Sequence, residues 1–224
     1  MHGRWCIQTM LGYAVIHYHR DEHMLNSMSR TSFLRLEWAA ALALIAIALG
    51  WAEIRTLDLG RPWTITPREI AGGTSAGALL WLCIPLLYRS IAIRRLWNGV
   101  LVPFARELRG RDILTIAILS GISEELFFRG VLLPELGLVG SSVIFGALHA
   151  LTPLYALWAG LTGAGLALLA THGSLTSAMI AHATYNAGAL LLLQQWSVDG
   201  QARGREDGPS EQPRTTEAER RVVR

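Results

Sequence analysis

The sequence contains one long stretch, residues 136–198, in which 63 consecutive positions include no Asp, Glu, Lys or Arg. A domain that folds in water cannot bury an uncharged stretch of this length, whereas a lipid bilayer accepts it as membrane-spanning helices. The composition agrees, because 51% of the 224 residues are hydrophobic and only 17% are charged. Together these features exclude a disordered or fibrous chain and indicate a membrane protein.

The basic residues indicate orientation in a membrane and give no sign of nucleic-acid binding. All 20 are Arg, and the net charge is +3. In membrane proteins an excess of basic residues usually marks the cytoplasmic loops. We therefore expect a lipid bilayer around the protein and no nucleic-acid partner. The two cysteines, Cys6 and Cys83, lie far apart and predict neither a disulfide framework nor a cysteine metal site.

The fold class predicted from these features is all-α, a polytopic transmembrane helix bundle that encloses a polar cavity. Polar breaks divide the chain into about six predicted spans: 33–54, 71–93, 112–134, 138–151, 154–171 and 174–196. The small residues Gly160, Gly163 and Gly165 predict close helix packing in the fifth span. With six spans both termini share one side, which would hold 16 Arg against 3 opposite. This bias predicts a multi-pass protein of the cell membrane with cytoplasmic termini.

Four regions follow from this division. Residues 1–32 are predicted to be a disordered extension, or a segment ahead of a natural start at Met28. Residues 33–110 hold N-terminal transmembrane helices and an Arg-rich segment with the mixed character of an interfacial helix. Residues 111–196 form the membrane core that carries the motifs described next. Residues 197–224 are polar, charged and rich in Gly and Pro, which predicts a disordered cytoplasmic tail.

Two carboxylates and a guanidinium fall inside the third predicted span. An ionised side chain at the centre of a span costs roughly 2.5 kcal/mol or more, so such residues usually line a functional cavity. Glu125 and Arg129 are spaced i, i+4 and can pair. Glu124 points about 100° away from Glu125 around the helix axis. An ion pair therefore explains Glu125 and Arg129 but leaves Glu124 as a candidate for function.

Two further polar sites lie within the uncharged stretch. Phe145 and His149 are spaced i, i+4 in the fourth predicted span, and His182 and Asn186 share one helical face in the sixth. A single His on an apolar helix is usually a hydrogen-bonded packing residue. Two such His residues together with an intramembrane acid are harder to explain as packing.

These groups suggest hydrolysis if they converge. A carboxylate and an imidazole that share one water can remove its proton and direct it at a carbonyl carbon. A second imidazole and an amide can donate hydrogen bonds to the oxygen that becomes negative. The reaction class is then hydrolysis of a peptide bond inside or at the membrane. No serine lies in a GxSxG elbow and no cysteine lies near a motif, so a nucleophilic mechanism fits less well.

Three motifs in this order resemble the CPBP family, which includes type II CAAX prenyl proteases and bacterial proteins similar to lysostaphin resistance protein A. The motifs are Glu124-Glu125-xxx-Arg129, Phe145-xxx-His149 and His182-xxx-Asn186, and the resemblance covers residues 113–192. It implies an all-helical membrane bundle with a polar cavity near one face. The leading hypothesis is a protease that acts on a membrane-associated peptide or protein without a cofactor. The resemblance also implies that Glu124 and His149 activate the water and that His182 and Asn186 bind the oxyanion. Glu125, Arg129 and Phe145 would support the cavity.

Three alternatives stay open at this point. The same groups could form a zinc protease with Glu124, His149 and His182 as ligands, although HExxH is missing and Asn186 is a poor zinc ligand. The protein could instead bind a peptide without cutting it, as a bacteriocin-immunity protein would. A proton-coupled transporter would also use buried Glu and His, but its usual internal repeats are not visible. The motifs leave the substrate open between prenylated and unmodified peptides.

Overall fold

The computed structural model describes residues 29–59 and 65–206. These residues form helices joined by short turns, and no β-strand occurs among them, which confirms the predicted all-α fold. Residues 1–28 of the predicted N-terminal extension and residues 207–224 of the predicted tail lie outside the described residues. Between these limits the last helix continues to Glu206, beyond the predicted end of the sixth span at Trp196.

The helices follow one another with few intervening residues. In chain order they are α1 (Arg30–Arg55), α2 (Pro67–Leu82), α3 (Ile84–Leu87), α4 (Ile91–Leu96), α5 (Val102–Glu107), α6 (Gly110–Phe127), α7 (Leu133–Leu148), α8 (Pro153–His172) and α9 (Leu175–Glu206). Two π-helical turns join α4 to α5 and α6 to α7, at Trp97–Leu101 and Phe128–Leu132. Helices α4 and α5 and the π-helical turn between them cover most of the predicted Arg-rich interfacial segment.

Polar caps and prolines determine where the long helices begin. Ser29 accepts a hydrogen bond from the Ser32 backbone at the start of α1. Thr66 and Glu69 form a reciprocal capping box ahead of α2. Thr152 caps α8, whose first residue is Pro153. A side-chain oxygen at this position satisfies a backbone N–H that has no partner inside the helix. The predicted breaks before Pro153 and after His172 are confirmed.

Four helical segments in the described part of the chain are long and apolar enough to cross a bilayer: Arg30–Arg55, Pro67–Leu87, Gly110–Leu148 and Pro153–His172. The predicted number of six spans is therefore approximate. Helix α9 is long, but its first half carries the polar residues of the third motif, which lower its mean hydropathy. The fourth predicted span, 138–151, has no separate helix that could cross a bilayer, because it forms the second limb of Gly110–Leu148.

The chain reverses direction within Gly110–Leu148. Gly137 has φ 70° and ψ 178°, a conformation outside the helical region. An L-residue with a Cβ rarely adopts positive φ, so glycine suits this position. Beyond it, the Phe145 ring returns to within 4.8 Å of the Phe128 ring. The reversal at Gly137 thus lays α7 back against the end of α6, which a straight helix could not do.

Contacts at the two ends of the bundle give the relative directions of the helices. Arg30 forms a bidentate pair with Asp112 at 2.6 Å for both bonds, which joins the starts of α1 and α6. Gln194 of α9 donates a hydrogen bond at 2.6 Å to the carbonyl of Leu108, just before α6. At the other end, Ala52 of α1, Leu126 of α6 and Leu175 of α9 pack in one cluster. Helices α1 and α6 therefore run parallel, and α9 runs antiparallel to both. The start of α1 and the later part of α9 lie at the same end of the bundle.

Candidate active site

A buried ion pair lies on α6 and the π-helical turn that follows it. Arg129 Nη1 donates to Glu125 Oε1 over 2.7 Å, and Arg129 Nη2 donates to the carbonyl of Gly163 in α8 over 2.8 Å. The two side chains are 1% and 0% exposed, respectively. The pairing that the i, i+4 spacing predicts is formed. Because the Arg also holds the α8 backbone, this pair joins two helices as well as neutralising two buried charges.

His182 completes a three-residue network around Glu125. Its Nδ1 atom lies 2.7 Å from the same Glu125 oxygen that Arg129 contacts. A carboxylate oxygen can only accept, so Nδ1 carries the proton in this contact. His182 is buried and belongs to α9. The network therefore connects α6, α8 and α9, and it leaves the Nε2 atom of His182 as the ring nitrogen that can face a ligand.

Glu124 makes a different contact from its neighbour. Its Oε2 atom lies 3.6 Å from Nε2 of His149, the residue that follows α7. The other ring nitrogen of His149 lies 2.7 Å from the backbone carbonyl of Phe145. Because a carbonyl only accepts, Nδ1 carries the proton there, and the neutral ring presents Nε2 to Glu124 as an acceptor. The acid and the first imidazole are brought together, as the convergence of the motifs predicts.

Phe145 lies between the two histidines. Its ring stacks on His149 with a centroid separation of 4.2 Å, and it meets His182 edge-on at 6.0 Å. The guanidinium carbon of Arg129 lies 4.6 Å from the Phe145 ring centroid, a cation–π contact. One aromatic ring thus restricts the orientation of both imidazoles and links the Glu124 contact to the Glu125 network.

Asn186 lies one helical turn after His182 on α9. Its Nδ2 atom donates to the hydroxyl of Ser120 on α6 over 2.8 Å. Ser120 itself precedes Glu124 by one turn. Every residue that the motifs single out is therefore placed on one of three packed helices, α6, α7 and α9, or on the turns that end α6 and α7.

Sequence reasoning missed three residues of this region. Ser120 carries the amide of Asn186, and no motif marks it. Glu37 of α1 and Tyr155 of α8 each interact electrostatically with Glu124. Glu37 could have been found, because it is an acid inside a helix long enough to span the membrane. Ser120 and Tyr155 give no comparable signal, since polar uncharged residues are common in transmembrane helices.

The zinc alternative requires three donor side chains arranged around one point. In residues 29–59 and 65–206 there is no group of three or more His, Cys, Asp or Glu side chains arranged to hold a metal ion. The zinc hypothesis needs Glu124, His149 and His182 around one point. Nδ1 of His182 is hydrogen-bonded to Glu125. His182 would therefore bind a metal ion through its other ring nitrogen, Nε2.

Comparison with known proteins identifies the region that carries these contacts. Residues 108–188 match the model of a protein family described as type II CAAX prenyl endopeptidase Rce1-like. Comparisons with curated proteins and with solved structures give no significant match. The matched segment begins just before α6 and ends within α9, so it contains all three motifs. The match spans 81 of the 224 residues, about a third of the chain. Over this segment the chain is similar to the type II CAAX prenyl endopeptidases, which supports the resemblance to the CPBP family, and that family indicates a protease.

Proposed function

We propose that the protein hydrolyses a peptide bond with a water molecule activated by Glu124 and His149. The observation that carries this proposal is the 3.6 Å contact between Glu124 Oε2 and His149 Nε2. Both atoms act as acceptors when the carboxylate is ionised and the ring is neutral. One water molecule between them can donate a hydrogen bond to each. The lone pairs of its oxygen then point away from both groups and are free to attack the carbonyl carbon of a substrate.

The chemical step then proceeds by direct attack of water. The water oxygen forms a bond to the carbonyl carbon of the substrate, while its proton passes to the Glu124–His149 pair. The carbonyl oxygen becomes an oxyanion. When the tetrahedral intermediate collapses, the C–N bond breaks and the proton passes to the departing amine. The products are a carboxylate and a protonated amine, which together account for both protons of the water, and no covalent enzyme intermediate forms.

His182 and Asn186 are proposed to stabilise the oxyanion. Asn186 can offer an amide N–H, and His182 can offer Nε2–H when both of its ring nitrogens carry protons. The proton on Nδ1 is held by Glu125, in the way that the carboxylate of a catalytic triad orients its imidazole. Donors that are fixed before the reaction lower its barrier because they need no reorganisation as charge develops.

Glu125 and Arg129 are proposed to support the site without touching the substrate. The side chain of Glu125 is fully buried, so its charge would be very unfavourable without Arg129. The pair orients His182 and ties α8 to α6 through the carbonyl of Gly163. This role is one of positioning, because no atom of the pair has to contact the reacting bond.

A direct test uses the purified protein in lipid nanodiscs. The probe is an internally quenched peptide that ends in a farnesylated CAAX sequence, with an unmodified copy for comparison. We expect cleavage of the farnesylated peptide by the wild-type protein, with products identified by mass spectrometry. Glu124→Gln and His149→Ala should each reduce the rate by about 1,000-fold or more.

The matched control is Glu135→Gln. Glu135 is an acid of the same apolar segment, but it pairs with Arg55 at 2.9 Å, away from the histidines. This variant should cleave the peptide at the wild-type rate. Full activity of Glu124→Gln would overturn the proposed mechanism. Binding of the peptide by the wild-type protein without cleavage would favour the non-catalytic alternative.

A further inference from the structure

We propose that Ser120 is a positioning residue that fixes the side-chain amide of Asn186 for catalysis. The inference rests on the oxyanion role proposed for Asn186 and adds a residue outside the three motifs. Its geometric basis is the 2.8 Å hydrogen bond from Asn186 Nδ2 to Ser120 Oγ, which joins α9 to α6.

The hydrogen bonds of Ser120 determine which end of the amide faces it. A hydroxyl has one proton, and Ser120 donates it to the carbonyl of Ala117 over 3.3 Å. Towards Asn186 the hydroxyl oxygen can therefore only accept. The NH₂ group of Asn186 must lie against Ser120, because the amide oxygen in that place would face another acceptor.

This orientation matters for the oxyanion. The NH₂ group has two hydrogens, and only one of them is used by Ser120. The second remains on the same nitrogen and can be donated to a substrate oxygen. The terminal torsion of Asn is broad and nearly two-fold, so an amide without this anchor rotates easily. A rotated amide would present its oxygen to the oxyanion and repel it.

The anchor itself is rigid. Ser120 is buried and lies one helical turn before Glu124 on the same helix, which fixes the amide relative to the proposed general base. The two helices approach closely beside this bond: a Cβ on Gly121 would lie 2.8 Å from the carbonyl oxygen of Met179. Movement of α9 against α6 is therefore restricted where Asn186 is held.

The chain offers a matched control for a test of Ser120. Ser123 is also buried on α6, but its hydroxyl donates within its own helix, to the carbonyl of Leu119 over 2.7 Å. Ser120→Ala and Ser123→Ala remove the same atom from the same helix. We expect Ser120→Ala to lower kcat about tenfold with little change in KM, and Ser123→Ala to leave both near wild type. For Asn186→Ala we expect a larger loss of kcat, at least about 100-fold, because the oxyanion donor itself is removed.

The decisive experiment places Ser120→Ala in the Asn186→Ala background, with kcat measured on the farnesylated quenched peptide. If Ser120 acts through Asn186, the double variant should be no slower than Asn186→Ala alone. A further tenfold loss in that background would overturn the inference, as would equal effects of Ser120→Ala and Ser123→Ala. If Asn186→Ala itself keeps the wild-type kcat, the proposed oxyanion role fails, which is a separate result. Thermal unfolding of each variant checks that the fold is retained.

Discussion

Glu124 Oε2 lies 3.6 Å from His149 Nε2, and this contact depends on the reversal of the chain at Gly137. A straight helix would hold residues 124 and 149 roughly 37 Å apart, at 1.5 Å per residue. The glycine conformation that folds α7 back therefore creates the proximity on which the proposed chemistry rests. The same reversal brings Phe145 of α7 against Arg129 and His182.

The Glu125–Arg129 pair should be essential for stability as well as activity. Arg129→Met leaves a fully buried carboxylate without its cation, and removal of one partner of such a pair costs about 3–5 kcal/mol. We expect a lower thermal unfolding temperature and a lower folded yield in nanodiscs. Combining it with Glu125→Gln should recover much of the stability, because no unpaired charge remains. Activity should stay low in the double variant, since His182 has lost its carboxylate partner. Recovery of activity would contradict the positioning role.

Close packing of α7 and α8 should be required to hold His149 in place. A Cβ on Gly146 would lie 2.6 Å from the carbonyl oxygen of Ala156 and 3.1 Å from backbone atoms of Gly160. Backbone cannot move aside as a side chain can, so Gly146→Ala should destabilise the protein by about 1–3 kcal/mol and reduce cleavage. The control is Gly165→Ala on α8, where a Cβ would have no neighbour within 4 Å. Equal unfolding temperatures for the two variants would contradict this packing argument.

The glycines of α8 show which features of the structure the sequence could predict and which it could not. The motifs, the breaks at Pro153 and His172, and the Glu125–Arg129 pair follow from spacing and local chemistry. Of the glycines predicted to pack closely, Gly163 lies beneath Phe145 and Arg129, whereas Gly165 meets nothing. Contacts between helices depend on their rotation and depth, which apolar periodicity does not determine. For the same reason the Asn186–Ser120 bond was not predicted.

The predicted number of spans is approximate for a related reason. Hydropathy identifies apolar segments, but it does not distinguish a full crossing from a limb that turns back inside the bundle. The segment 138–151 is apolar enough to be predicted as a span, although its helix ends at Leu148 beside the Glu124 site. Helix α9 shows a second limit of hydropathy. It is long enough to cross a bilayer, but the polar residues of the site lower its mean hydropathy.

The reaction is expected to proceed without a metal ion. The protein should keep its cleavage rate after dialysis against EDTA and 1,10-phenanthroline, because the proposed chemistry uses only carboxylate, imidazole and amide groups. Elemental analysis of the active protein should find zinc well below one atom per chain. Loss of activity on chelation, with recovery on addition of stoichiometric zinc, would instead support Glu124, His149 and His182 as zinc ligands.

The bundle end that holds the starts of α1 and α6 is proposed to face the cytoplasm, since Arg30, Arg109 and Arg111 lie at these starts. In a chain without native cysteines, Glu107→Cys and His172→Cys place single thiols at exposed positions of the two ends. A membrane-impermeant maleimide should label position 172 in intact cells, and position 107 only after lysis. Labelling of position 107 in intact cells would contradict this orientation.

The most direct test of the central claim is a kinetic cycle with Glu124→Gln, His149→Ala and the combined variant, measured as kcat on the farnesylated quenched peptide. If both side chains act on one water, each single change should cost about 1,000-fold or more. The combined variant should then be no slower than the slower single variant, because a shared function can be lost only once. Wild-type turnover by Glu124→Gln, or losses that multiply in the combined variant, would contradict the claim.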